Sequence, residues 1–479
     1  MDRRHIGIAI AAGAFILLTA WQATHLHRYL APDSFTYFAM AKEFHESELL
    51  YSYSGVDHTT GIHPGYYFLL LPLYPGVGAA LPAASFILNA LFILGGLFLL
   101  YRALGFMPTA VIFLLTLTSQ AAGALNNGME SSLLFFALSL ATYLYLAKVE
   151  PGDTPSLLLL GAALALALFA RLDAIFFVAA LYLVFAYRML MQDRSINGLI
   201  GHVRTFMALS LPVFAALGII FAINLTYDGT LLPLSGQLKS SLPHVLPNWA
   251  ASLPLLKMFI AGIAAMGAYL VYRMLKRRPL QELVPALFIG SIALFTYNLF
   301  YVSGIGAWYG ALPFFGAALA LGLLVHDLWT DVPGRYRRIS TALVLVAFAV
   351  AVPLGHANRI VTDWITPNQA IAEELDRQAA DGEAAAEFKD GVVAFYSRVP
   401  VYSLTGLANN QAYVDAVRKG TLEAYLAERG IAYIAHGIGG SGLQVPEAVE
   451  SIECTRPFYE KDGALLSRVA DCAVVPTSR

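Results

Sequence analysis

The sequence predicts a polytopic α-helical membrane protein that ends in a small α/β domain, and three observations predict it. The 479 residues are 58% hydrophobic and only 13% charged, where soluble domains carry about 25% charged residues. Apolar runs of roughly 17–25 residues, long enough to cross a bilayer, recur along the first three quarters of the chain. The charge density then changes: 34 Lys, Arg, Asp and Glu fall in residues 1–355 and 28 in residues 356–479. The first part therefore reads as a membrane domain and the second as a small soluble-type domain. A net charge of −2 without a basic stripe gives no footprint for nucleic acid.

The chain opens on "MDRRHIGIAIAAGAFILLTAW". Its apolar stretch is long for a signal-peptide core, and "WQATHLHRYL" is a poor cleavage site, so it reads as an uncleaved anchor. With this run at 6–24, spans are expected near 83–102, 107–125, 128–147, 155–170, 174–190, 205–225, 253–272, 283–302, 308–326 and 338–355, about eleven in all. The run "GYYFLLLPLYPGVGAAL" (65–81) carries Pro72, Pro75 and three glycines and makes a poor straight span.

The positive-inside rule decides what 65–81 does. If it does not cross, Arg3, Arg4, Arg102, Lys148, Arg188, Arg194, Arg204, Arg273, Lys276, Arg277, Arg278, Arg335, Arg337 and Arg338 are cytoplasmic. Only Arg28, Lys42, Arg171, Lys239 and Lys257 then lie outside. If it crosses, the asymmetry reverses. Segment 65–81 is therefore expected to be a re-entrant or juxtamembrane helix in a long first outer loop, about 25–82. The N-terminus is then cytoplasmic and the C-terminal domain extracytoplasmic.

In the tail, "NQAIAEELDRQA" and "NQAYVDAVRKGTLEAYLAERG" have helical periodicity, while "GVVAFYS" and "IAYIAHG" look like short strands. "GIGGSG" (437–442) reads as a plain loop. The two cysteines, Cys454 and Cys472, flank a segment whose "KDG" reads as a hairpin turn. Outside the cytoplasm they are expected to form a disulfide.

On this topology, ionisable and aromatic groups from five separate loops share one level at the outer surface. The first loop supplies Asp33, Asp57, His58 and His63, and "NNGMESSLLFF" supplies Glu130. "ARLDAIFF" supplies Arg171 and Asp173, "YDGTLLPLSGQLKSS" supplies Lys239, and "GIGAWYGALPFF" supplies Trp308 and Tyr309. Ionisable groups at membrane level are costly and usually functional. Each also has a plain structural reading. Asp33 is a good helix N-cap, Asn127 to Glu130 has capping-box spacing, and Arg171–Asp173 suits a snorkelling pair. His58 and His63 are the candidates for a metal, although i, i+5 in a loop is not a helical metal pair.

The order of these pieces resembles the polyprenyl-phosphate-dependent glycosyltransferases of the GT-C fold. An acid follows the first span, then come a long outer loop, a "G-[LM]-E" at a span start, an "R-x-[DE]" hairpin tip, a "G-x-L-x-P-x-S-x-x-x-K"-like loop and an outer C-terminal domain. Among these enzymes the chain is most similar to actinobacterial arabinofuranosyltransferases that use decaprenyl-phospho-arabinose. The resemblance implies a donor sugar on a polyprenyl phosphate, a pentofuranose in that family. It also implies a glycan, glycolipid or protein acceptor outside a bacterial inner membrane. It puts the family's first-loop acid on Asp33, its glutamate on Glu130, its hairpin pair on Arg171 and Asp173, and its phosphate-side lysine on Lys239. Where that family often sets two adjacent acids, this chain has Pro32 and Asp33. No organic cofactor is implied, and a divalent cation stays open.

The chemistry fits the residues. A carboxylate takes the acceptor's proton, and Lys239 and Arg171 neutralise the departing phosphate. Asp57, His58, His63, Glu130, Asp173, Trp308 and Tyr309 are expected to line the cleft. A lipid or solute transporter would instead bury charges mid-span and show matching halves. A non-catalytic scaffold would lack a common cleft.

Overall fold

The computed structural model describes residues 13, 15–148, 153–192, 196–280, 282–331, 352–353, 355–356, 363–388, 391–405, 408–437 and 450–476. Of the expected run at 6–24, residues 13 and 15–24 are described, while that at 338–355 lies mostly outside the described residues, as do Arg3, Arg4, Arg194, Arg335, Arg337, Arg338 and nearly all of "GIGGSG".

The helices of the first part are α1 (Ser34–Ser47), α2 (Pro64–Leu70), α3 (Leu81–Leu104), α4 (Phe106–Thr116), α5 (Ser119–Leu125), α6 (Ser131–Ala147) and α7 (Thr154–Ala170). They continue with α8 (Ile175–Gln192), α9 (Ile196–Asp228), the short α10 (Leu234–Lys239), α11 (Lys257–Leu275), α12 (Leu283–Tyr301) and α13 (Ala311–Asp331). Six stretches among the described residues are long and apolar enough to cross a membrane, seven if the bent pair α4 and α5 counts as one. The outer faces of the bundle are apolar: Leu183, Leu211 and Phe214 are 66%, 63% and 61% exposed. A surface of this kind is stable against lipid and not against water. Within the bundle, glycines let backbones touch. A Cβ on Gly161 of α7 would sit 2.4 Å from the Leu209 carbonyl oxygen of α9.

The helices at the expected spans 128–147 and 155–170, α6 and α7, are shorter than the six, and the structure differs from expectation at two further segments. The run 107–125 is not one straight helix, because α4 and α5 meet at 87°. The hydroxyls of Thr116 and Thr118 donate to the carbonyls of Phe113 and Leu115, and Thr118 accepts from the Ala121 N–H as the cap of α5. Such local bonds compete with helix continuation. The ring of His356 meets the Leu117 carbonyl left at the break, Nε2 to O 2.9 Å. Segment 65–81 is also not one helix: α2 is followed by the short turns Tyr74–Val77 and Gly78–Ala80 before α3. Pro75 starts the first of these turns.

The C-terminal part contains α14 (Ile365–Gln378), α15 (Val392–Tyr396), α16 (Gln411–Lys419) and α17 (Leu422–Glu428). Its strands are β1 (Ala384–Glu387), β2 (Val401–Ser403), β3 (Ile431–His436), β4 (Glu450–Cys454), β5 (Tyr459–Lys461), β6 (Ala464–Arg468) and β7 (Cys472–Pro476). The main sheet has the order β2-β1-β3-β6-β5, with β1 parallel to β2 and β3 and β6 antiparallel to β3. β4 and β7 form a separate antiparallel ladder in which Cys454 and Cys472 are partners and are joined by a disulfide. "GVVAFYS", expected as a strand, is helical over Val392–Tyr396. The Glu387 carboxylate accepts from the N–H groups of Gly391, Val393 and Ala394 and so holds a helical turn where β-branched residues favour a strand.

Candidate active site

A polar cleft opens at the end of the bundle that carries the C-terminal domain. Asp33, Thr36 and Tyr37 line it from α1, Gly61, Ile62 and His63 from the loop before α2, and Met129 and Glu130 from the entry to α6. Arg171 lines it from the exit of α7, Ser235 and Lys239 from α10, and Trp308 and Tyr309 from the entry to α13. The cleft is open on one side and its cavity measures about 60 Å³, room for several waters.

Asp33 stands at the N-cap position of α1, but its side chain makes no capping bond. It is half-buried and faces the cleft. Glu130 likewise precedes α6 without capping it. The Asn127 side chain accepts instead from the Met129 N–H, so the capping-box spacing is not used as a box. Glu130 is fully buried. It accepts from Arg171 Nη1 at 2.7 Å and from the Tyr37 hydroxyl at 2.8 Å. Arg171, also buried, turns Nη2 and Nε onto Asp173 at 2.7 Å and 3.1 Å. Three of its donors are thus committed to two carboxylates, as the planar fork allows.

His63 lies beside Glu130, Nε2 to Oε1 3.9 Å. Burial holds its imidazole below the usual histidine range, against the raising effect of Glu130. The Lys239 ammonium sits 5.9 Å from the Tyr309 ring centre, and the Arg171 guanidinium 5.3 Å from the same ring. Tyr309 is therefore shared by both cations.

Three expected cleft residues lie elsewhere. Asp57 pairs with Arg429 of the C-terminal domain at 2.9 Å. His58 is bonded through Nδ1 to the Leu50 carbonyl and packs on Tyr227. Asp173 reaches the site only through Arg171 and is not part of the lining. Among the described residues no group of three or more His, Cys, Asp or Glu side chains is placed to hold a metal ion.

Sequence reasoning missed Thr36, Tyr37 and Ser235. A signal was present. Thr36 and Tyr37 follow Asp33 at i+3 and i+4, and Ser235 precedes Lys239 by four, so each shares a helical face with a residue already singled out.

The fold, an apolar helical bundle with a small sheet domain at one end, is that of the GT-C membrane enzymes. The chain superposes on the crystal structure of ArnT from Cupriavidus metallidurans bound to undecaprenyl phosphate with a TM-score of 0.62. The match covers 96% of this chain and 97% of ArnT at 12% identity. The apo state of ArnT gives 0.54 at 15% identity over 89% and 93%. An oligosaccharyltransferase from Archaeoglobus fulgidus, tethered with an acceptor peptide, gives 0.49 at 13% identity over 88% and 68%. At these identities the likeness is one of fold. No family profile matches the chain, and no curated protein does.

Proposed function

We propose that the chain is an integral-membrane glycosyltransferase that moves a sugar from a polyprenyl phosphate to an acceptor hydroxyl, with Asp33 as general base. The observation that carries this reading is the cleft itself, which brings a carboxylate without a capping bond, Asp33, and a cation, Lys239, together from positions 206 residues apart. The likeness to ArnT, solved with undecaprenyl phosphate, supports a lipid-phosphate donor.

In the reaction the acceptor oxygen attacks the anomeric carbon and gives its proton to the Asp33 carboxylate. The bond from that carbon to the phosphate oxygen breaks, and the phosphate leaves with the electron pair. Lys239 neutralises the leaving oxygen. Arg171 adds positive charge nearby, but its committed donors make it chiefly the residue that holds Glu130. Trp308 and Tyr309 form the amphipathic rim at headgroup level.

The membrane domain is residues 1–355, and residues 356–479 form a domain outside a bacterial inner membrane. The sugar is a pentofuranose. Incubating the purified protein with radiolabelled polyprenyl-phospho-sugars and glycan, glycolipid and peptide acceptors tests all of this. Transfer from a pentofuranosyl donor is expected. Transfer from another sugar corrects the donor alone, and no transfer from any member overturns the reading.

A further inference from the structure

The two residues assigned to proton and phosphate sit on short elements, α1 and α10, that lie outside the spanning helices. Both rest on the C-terminal domain, and on different parts of its core. Along α1, Asp33, Thr36 and Tyr37 face the cleft, while Phe35, Phe38 and Lys42 face the C-terminal domain. Phe35 packs on Trp364 and Phe395 with ring centres 5.7 Å and 5.9 Å apart. The buried Lys42 ammonium donates to the carbonyls of Ala394 and Ser397 at the end of α15. At its other end, α15 is held by Glu387, which also accepts from the hydroxyl of Tyr53 in the first loop. Gly391, with φ +84°, lies against the backbone of α1: a Cβ there would come 2.3 Å from the Phe35 carbonyl carbon and 2.4 Å from the Thr36 nitrogen.

α10 is anchored differently. Leu234 and Leu238 are fully buried in the hydrophobic core that includes Ala384 and Ala386 of β1, Tyr402 and Ile434. The core shared by α1 and α15 takes Ala385 of the same strand. Alternate residues of β1 point to opposite faces, so this one sheet lies between the core that carries α1 and the core that carries α10.

We propose that the C-terminal domain is the spacer that sets the position of Asp33 relative to Lys239, with Gly391 and Lys42 as positioning residues for the base and Leu238 for the phosphate-side lysine. This rests on the glycosyltransferase reading above. The domain then serves catalysis by fixing both sides of the cleft, and each side has its own anchor.

The test uses the full-length protein in lipid nanodiscs, with turnover from the donor found in the panel and amide hydrogen exchange of α1. Gly391→Ala and Lys42→Met should each lower kcat by about 10–100-fold and leave the donor KM within about twofold. Lys42→Arg should keep most of the wild-type kcat. Amides of Ser34–Met40 should exchange about tenfold faster in the impaired variants while the spanning helices keep their protection. Leu238→Ala should show the opposite split, a raised donor KM with kcat little changed. If Gly391→Ala does not fold, the two Lys42 variants and Leu238→Ala decide. Wild-type kcat in Lys42→Met, or a uniform loss of protection across the bundle, overturns the proposal while leaving the functional reading intact. A wild-type protein without turnover from any donor overturns both.

Discussion

Arg171 Nη1 and Glu130 Oε1 meet at 2.7 Å in the wall of the cleft, although the residues are 41 apart in sequence and both side chains are buried. The same guanidinium holds Asp173, and the Tyr37 hydroxyl holds the other oxygen of Glu130. Removing the cation would leave a buried carboxylate without its counter-charge, a loss that typically costs about 3–5 kcal/mol. Arg171→Met should therefore lower the thermal midpoint of the detergent-solubilised protein clearly. Lys239→Met, at a partly exposed position, should barely move it. Equal midpoints for the two variants would mean that Arg171 does not hold the cleft together.

Lys239 should instead act on the donor. A charge-assisted hydrogen bond is worth about 1.5–3 kcal/mol, or roughly 10–100-fold in affinity. Lys239→Met is expected to raise the donor KM by about that factor and to change the acceptor KM little. An unchanged donor KM would remove Lys239 from the phosphate site.

Asp33→Asn separates base from cap. Because Asp33 makes no capping bond, the substitution should leave stability within about 0.5 kcal/mol, as for positions free of such features. Loss of a general base costs about 10²–10⁴ in rate. Full transfer by a folded Asp33→Asn protein would assign the base to another group.

His63 supplies a pH dependence. Burial, its first cause, lowers the folded-state value below the ordinary histidine value of about 6.5. Between those two values the unfolded chain binds a proton that the folded chain does not, so stability falls as pH drops through this window. Wild-type protein should lose more of its thermal midpoint than His63→Gln between about pH 7.5 and about pH 5.5. Identical losses would mean that His63 titrates normally.

The class of the protein was legible in its residues. Apolar runs pointed to an apolar helical bundle, the higher charge density toward the C-terminus pointed to the sheet-bearing tail, and the spacing of "KDG" marked the β5–β6 turn, where Asp462 and Gly463 take φ 47° and 87°. The polar groups worth examining were legible too, because a carboxylate or cation at the end of an apolar run is costly wherever it ends up. Periodicity reports which face of an element is apolar, not what lies across from it. The 87° break after Thr116 depended on side-chain hydroxyls and on His356, far along the chain. The turn of "GVVAF" into a helix depended on Glu387 accepting its N–H groups.

What the sequence by itself determined is therefore a membrane bundle, an α/β tail and a set of ionisable groups gathered at loop ends. Only the tertiary structure decided which of them share a cleft. Arg171 went to Glu130 and Asp173, Asp57 to Arg429, His58 to the Leu50 carbonyl, and Asp33 and Lys239 came to line one cavity. The physical reason is that a charge near the membrane must find a partner or water, and which partner is within reach is set by how distant helices pack.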